Sequence, residues 1–492
     1  MRESHINLTL SSFTIIISLF VTETAGASVF QNQHDSIPQS DYISDAVIVK
    51  GKRYPYLLLP PKNIVKGESY PLVLFLHGAG ERGNDNKKQK RHFPELMASP
   101  EYQDLHSSFV LAPQCPRGES WVDIDWSSEQ STPHRPVATK PLQGAIRALE
   151  KVVAKYPIDL ESISLTGLSM GGYGTWDLAM RHPYWFAAAI PICGGGDENN
   201  VTRLAGLKLQ VWHGKDDKVV PATRSQNMVE AMSNLDMAVD YFELLNTGHN
   251  SWHEAYRRKE FLNLLFSAKR DLQQIQKSSA ELLSKSMKQD ERVVFFGDSI
   301  TQSGNLENGY VDLIRKALKS ENAPATIIPA GISGHKVPDL LQRLDADVLE
   351  KNPTVVFIYI GINDVWHSQM GSGTDIHEYG EGLRKIIQAI HKSGSKAVLA
   401  TPSVIGEKPN GENPLDKMLE EYAEVSRKIA KEEQATLCDL RLIFVNYLRV
   451  FNPEGLKEGI LTTDGVHLNK TGNILVAIES SLAIRQAALG RD

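Results

Sequence analysis

Ser162-Ile-Ser-Leu-Thr-Gly-Leu-Ser-Met-Gly-Gly172 is the stretch on which the fold of the first half turns. A strand-like run ends at Thr166, Gly167 and Gly171 stand two places either side of Ser169, and a helix-forming stretch opens near Gly172. A serine flanked this way, between a strand and a helix, marks a sharp turn that lifts the hydroxyl clear of a sheet. Small residues are needed because the turn is strained and the helix passes close to the sheet. A serine hydroxyl is a weak nucleophile at its free pKa, so such a serine calls for a base, and the base for a carboxylate to orient it.

Outward from this turn the first half alternates. Apolar runs of strand length lie at 71–76, 108–112, 186–192, 207–212 and 238–245, with helical patterns at 142–156 and 172–180 between them. That alternation predicts a mostly parallel sheet covered by helices, and 45–60 reads as an antiparallel pair leading in. The acid is expected after a later strand. Val211-Trp-His-Gly-Lys-Asp-Asp-Lys-Val-Val-Pro221 offers Asp216 and Asp217, of which Asp217 is the choice and Asp216 a solvated turn residue. The base is expected last, at His249 in Asn246-Thr-Gly-His249, with His253 a weaker candidate facing substrate.

His77-Gly-Ala-Gly-Glu-Arg-Gly83, Ala112-Pro-Gln-Cys-Pro116, Gly167 to Trp176 and Gly248-His-Asn-Ser-Trp252 together resemble the α/β-hydrolase superfamily. Within it they look like the esterase group containing feruloyl and acetyl xylan esterases, polyhydroxybutyrate depolymerases and secreted peptidases. The resemblance covers about 45–265 and implies the chain order Ser169, Asp217, His249. It also implies an oxyanion hole made by the backbone N–H groups of Met170 and Ala79, with Gly78 the nearest competitor. Trp121 and Trp126, in the loop at 116–140, either line an acyl pocket or belong to the core.

A second serine follows in a different setting. Residues 268–290 are rich in charge, lack Gly and Pro, and read as a helical linker. Then Arg292-Val-Val-Phe-Phe296 leads directly into Gly297-Asp298-Ser299. Further on come Ala330-Gly-Ile-Ser-Gly334, Gly361-Ile-Asn-Asp364 and Asp464-Gly-Val-His467. Strands are expected at 325–329, 354–360, 397–401 and 442–446, and helices at 309–319, 378–393 and 415–432; residues 404–416 read as a polar loop. The four short blocks, in this order and each after a strand-like run, resemble the SGNH (GDSL-like) hydrolases, which have a flavodoxin-like three-layer α/β fold. The resemblance covers about 291–488. It implies Ser299 as nucleophile, Asp464 and His467 as acid and base, and Gly331 N–H, the Asn363 amide and Ser299 N–H as oxyanion donors. Many relatives have Asn two residues before the second block's glycine; here that position is Pro329.

The expected organisation is therefore a signal peptide at 1–27, an α/β-hydrolase domain at 45–267, the linker at 268–290 and the SGNH domain at 291–488. The leader is inferred from Arg2, the apolar run Phe13 to Val21 and the small residues Ala25-Gly-Ala27. The run is short of the roughly 20 residues that span a bilayer, so a secreted or periplasmic protein without stable membrane insertion is expected. Residue number 492 allows two or three domains, and a formal charge of −6 lacks the basic footprint of a nucleic-acid binder. The three cysteines, Cys115, Cys193 and Cys438, are too few for a disulfide framework. They read better as buried small hydrophobes than as a Cys115–Cys193 bridge with one thiol left over. No cofactor or metal is implied, as no metal-site spacing of His and Cys occurs. The expected function is a serine esterase with two Ser-His-Asp sites, acting on acylated carbohydrate or small esters. The alternatives are a lysophospholipase, thioesterase or peptidase, or one active domain with the other as a docking module.

Overall fold

The computed structural model describes residues 42–490 apart from 127, 130 and 132; the expected leader at 1–27 lies outside the described residues. The chain divides into two compact units between Asp271 and Leu272. Each is an α/β unit built on one central sheet flanked by helices. Among the described residues no helix is long and apolar enough to cross a membrane.

The first unit has eight strands: β1 (Ile43–Val49), β2 (Lys52–Leu59), β3 (Tyr70–Leu76), β4 (Phe109–Pro113), β5 (Ile158–Leu168), β6 (Ala188–Ile192), β7 (Lys208–Gly214) and β8 (Asp240–Leu244). Their order across the sheet is β1-β2-β4-β3-β5-β6-β7-β8. β2 runs antiparallel to both β1 and β4, and every other pairing is parallel. Parallel strands are covered on both faces, which is why β3, β4 and β6 are continuous apolar runs rather than alternating ones. The helix Lys140–Lys155 starts where Thr139 accepts a hydrogen bond from Leu142 N and Pro141 fills the first turn. Its Leu142, Ala145, Leu149 and Val152 are buried at helical spacing. On the other face Phe93, Tyr256 and Phe261 form an aromatic cluster of tilted and edge-to-face pairs, with Phe75 of β3 against Phe93 and Tyr256. The central β5 ends at the turn that carries Ser169.

The second unit has five strands, all parallel: β9 (Glu291–Gly297), β10 (Ala325–Gly331), β11 (Val355–Tyr359), β12 (Lys396–Ala400) and β13 (Thr436–Cys438), in the order β10-β9-β11-β12-β13. Pro329 is tolerated because β10 is an edge strand with a single partner. One expectation changes here. Residues 442–446 are not a strand but the middle of a helix, Leu440–Phe451. Asp439 caps that helix by accepting from Leu442 N, and Leu440, Phe444, Tyr447, Leu448 and Phe451 bury one stripe at helical spacing. Residues 268–290, read as a linker, are helical over Leu272–Ser284, and that helix packs along the helix Lys470–Leu489 of the second unit. Its buried Ile275, Ala280, Leu282 and Leu283 explain why it is docked rather than free.

Candidate active sites

In the first unit the strained turn is present. Ser169 has φ 54° and ψ −120°, a conformation that L-residues rarely adopt. It stands between β5 and the helix Met170–Arg181. A Cβ at Gly171 would overlap the Leu76 carbonyl at the end of β3, so only glycine lets the helix sit this close to the sheet. Ser169 Oγ donates to His249 Nε2 at 2.9 Å, and His249 Nδ1 donates to Asp217 Oδ2 at 2.7 Å. Asp217 follows β7 and His249 follows β8, so two neighbouring strand ends carry the expected acid and base. Asp217 Oδ1 accepts from the N–H groups of Val219 (2.8 Å) and Val220 (3.0 Å). Burial pushes the Asp217 pKa up, but His213, His249 and these two amides outweigh it and hold the carboxyl well below the usual range. Asp216 is exposed, as is His253, which packs edge-on to Trp252 and lies outside the Ser169–His249–Asp217 chain.

The expected oxyanion loop lies against the turn. Leu76 and His77 carbonyls abut Gly171, and a Cβ on Gly78 would press on the Leu168 side chain. His77 is fully buried, contacting the Gly78 carbonyl through Nδ1 at 2.7 Å and accepting from Cys115 N at Nε2 at 2.9 Å. Burial lowers its pKa to about 4, so it is neutral at ordinary pH, as these bonds require. Ala79 begins a short 3₁₀ turn, Ala79–Glu81, and Met170 N–H is at the first position of its helix. Trp121 is wholly buried and donates from Nε1 to the His77 carbonyl at 2.9 Å, which makes it core. Trp126 is half-buried, with the Arg82 guanidinium 6.0 Å from its ring centroid.

The second unit brings together Ser299, His467 and Asp464. Ser299 Oγ and His467 Nε2 are 3.0 Å apart, and His467 Nδ1 is 2.7 Å from Asp464 Oδ2. Asp464 Oδ1 accepts from Val466 N (3.0 Å) and His467 N (2.7 Å), so one turn holds the expected acid and base together. Burial raises the Asp464 pKa, but the His467 ring and these amides lower it further, to a net value below the usual range. Ser299 opens the helix Ser299–Gly304, capped by Asp298, which accepts from Ile300 N. Asp298 is fully buried, and burial above all lifts its pKa to about 7. Gly331 ends β10 beside Gly297 of β9, and a Cβ there would overlap the backbone of Thr301 and Gln302. Asn363 is buried in the short helix Ile362–Trp366 and donates one amide hydrogen to His335 O at 3.1 Å.

Three residues outside the sequence reading make contacts with these groups or with the segments that carry them. His213 of β7 is buried, with Nε2 3.3 Å from Asp217 Oδ2 and 3.1 Å from Val220 O. Facing two acceptors, Nε2 must carry a proton. Arg343 donates to the carbonyls of Gly297 (2.7 Å) and Ala330 (2.9 Å), tying the ends of β9 and β10. Glu407 is buried against the turn that precedes Asp464. His213 stood in view beside the acid motif, but nothing in a single sequence separates it from an ordinary strand residue.

The three cysteines are buried and none is in a disulfide, so the Cys115–Cys193 bridge is not formed. Cys193, Asp217 and His249 are the close set of metal-ligating types among the described residues. Two of these are bonded to each other as above. Burial, then the Asp217 charge, pushes the Cys193 thiol up, so it stays protonated and is a poor ligand.

Residues 295–474 match the model of the GDSL-like Lipase/Acylhydrolase family. The chain is a serine esterase with a C-terminal GDSL-type domain. Its relatives include an acetylxylan esterase of Geobacillus stearothermophilus, 28% identical over 205 residues, covering 38% of this chain and 90% of that protein. Esterase TesA of Pseudomonas aeruginosa is 26% identical over 173 residues, covering 35% of this chain and 76% of the relative. Among solved structures, the acetyl xylan esterase AlAXEase is 43% identical, covering 38% of this chain and 97% of that one, with a TM-score of 0.38. A thermostable esterase is 39% identical, covering 47% of this esterase and 64% of that chain, with a TM-score of 0.43.

Proposed function

We propose that this esterase is a secreted, bifunctional carboxylic-ester hydrolase with two separate Ser-His-Asp sites, which removes acetyl- and feruloyl-type groups from plant or algal polysaccharide. The observation that carries it is the pair of complete hydrogen-bonded chains, Ser169–His249–Asp217 and Ser299–His467–Asp464. In each, histidine takes the serine proton as the hydroxyl attacks the ester carbonyl, and the carboxylate holds the ring in the tautomer that leaves Nε2 able to accept. The oxyanion is met by Met170 and Ala79 N–H in one site, and by Gly331 N–H, Ser299 N–H and the Asn363 amide in the other. Histidine then protonates the departing alcohol, and water, deprotonated by the same histidine, releases the acid from the acyl-enzyme.

The finer family assignment belongs to the same proposal. The first sheet, with β2 antiparallel in an otherwise parallel order, supports an α/β-hydrolase, and its motifs support the group of feruloyl and acetyl xylan esterases and polyhydroxybutyrate depolymerases. The second, a parallel sheet with its first strand inside, supports a flavodoxin-like SGNH domain. The carbohydrate substrate is supported by the acetyl xylan esterases among the relatives, and tethering two esterases suits a polymer bearing both substituents. Wild type, Ser169→Ala and Ser299→Ala would be assayed by mass spectrometry for acids released from acetylated, feruloylated xylan. The two variants are expected to lose different products. Release of nothing by wild type, with simple aryl esters still cleaved, would remove the polysaccharide and turn attention to lipid and thioester substrates.

A further inference from the structure

We propose that Glu407 is the positioning residue of the second site, a buried carboxylate that holds the acid–base turn in register with Ser299. The inference rests on the reading of Ser299, His467 and Asp464 as a catalytic set. In the first site the acid and base leave two adjacent strands of a rigid sheet. In the second, both sit on one irregular turn near the surface, with 49% of the Asp464 side chain and 33% of the His467 side chain exposed. Exposed turns are mobile unless something beneath ties them down.

Glu407 supplies that tie. It lies in the polar loop 404–416 and is fully buried. Its Oε2 accepts from Ile460 N (2.7 Å), and its Oε1 from Leu461 N (2.7 Å), Thr462 N (2.5 Å) and Thr462 Oγ1 (2.7 Å). Three consecutive backbone N–H groups and a hydroxyl thus converge on one carboxylate. Hydrogen bonds to an ionised acceptor are about twice as strong as neutral ones. The Thr462 hydroxyl, having donated to Glu407, accepts from Gly465 N at 3.0 Å, within the Asp464–His467 turn itself. The two loops are joined again by Gly406 N to Gly465 O (2.7 Å), while Glu407 N donates to Lys457 O (2.9 Å) and Asn452 donates to Glu407 O (2.7 Å). The path from Glu407 to the catalytic pair is therefore two hydrogen bonds long. Glu407 touches no reacting atom; it fixes where Asp464 and His467 stand.

The test uses full-length Ser169→Ala protein, so that turnover of an aryl acetate reports the second site alone. Adding Glu407→Gln puts an amide N–H₂ where an acceptor is needed. A misplacement near 1 Å costs about 10²-fold, so kcat is expected to fall about 10- to 100-fold with KM nearly unchanged. The low-field proton resonance of His467 Nδ1–H, identified by its loss in His467→Ala, should shift or broaden. Glu407→Asp, which keeps the charge on a shorter arm, should fall between. Glu407→Gln in a Ser299→Ala chain should leave first-site turnover intact, which guards against global misfolding. If Glu407→Gln unfolds the second unit, Thr462→Val decides, since it cuts the link to Gly465 without removing the carboxylate; kcat should still drop several-fold. An unchanged kcat, or an unmoved resonance, in the folded variant overturns the proposal. If Ser169→Ala protein shows no turnover at all, the nucleophile role of Ser299 fails, and the resonance still decides what Glu407 does.

Discussion

Replacing the acid by its amide should cost the first site far more than the second. Asp217 Oδ1 is held by two backbone N–H groups at 2.8 and 3.0 Å. In Asp217→Asn the amide oxygen is therefore pinned at that position, and the N–H₂ is forced onto the site of Oδ2. There it faces His249 Nδ1, which must turn from donor to acceptor. The proton moves to Nε2, and His249 can no longer accept from Ser169. The Asp217 side chain is wholly buried, so a rotated amide gains little from solvent, and the His213 Nε2–H opposes the same N–H₂. Trapping the wrong tautomer in a buried triad costs about 10⁴ in kcat, or roughly 5.5 kcal/mol of transition-state stabilisation. Asp464 makes the same bonds but is half exposed. Water can solvate a rotated amide there, so a loss of only about 10²–10³ is expected in Asp464→Asn, since exposed electrostatic partners are screened. Each variant would be made in a chain whose other serine is Ala and assayed on p-nitrophenyl acetate across a pH series. Equal losses at the two sites, or a loss under 10-fold for Asp217→Asn, would refute the argument from burial.

Three further outcomes follow from the geometry. Asp298 has a folded pKa near 7, above its unfolded value; the native state thus binds the extra proton, and stability is fully present below pH 4 and lost as pH rises through 7. Asp298→Asn keeps the cap on Ile300 and removes this term, so its thermal stability relative to wild type should improve by on the order of 2–4 kcal/mol between pH 4 and 8; a pH-independent difference in melting temperature would contradict it. Asn363→Ala in the Ser169→Ala chain should lower kcat by about 10²–10³ with little change in KM, and a pure KM effect would remove Asn363 from the oxyanion hole. His77→Ala strands Cys115 N–H and the Gly78 carbonyl in the core, at about 1–3 kcal/mol for each buried group. The first unit should melt several degrees lower and lose turnover at Ser169, while the second site keeps its rate; calorimetry and the paired assays would expose any other pattern.

Much of this is legible in the sequence. Gly167-Leu-Ser-Met-Gly171 could be read because the chemistry of a strained strand-to-helix turn leaves a local mark, and the alternation of apolar runs located most strands of both sheets. The run at 442–446 misled because a short apolar stretch has no period of its own, and its cap, Asp439, lies outside it. The helix over Leu272–Ser284 was recognisable as a helix, but whether it bridged or docked depended on what its apolar face met.

The order Ser169, Asp217, His249 in one half and Ser299, Asp464, His467 in the other is what the resemblance of the short motifs to known hydrolase families implies, and those motifs can be recognised in the sequence because each is local. That Ser169 meets His249 across 80 positions, and Ser299 meets His467 across 168, is decided only by the sheets. The same holds for the contacts of His213 and Glu407. Each turns on which side chain is buried and which distant groups face it, and burial and long-range hydrogen bonding are properties of the packed fold that no local stretch of residues encodes.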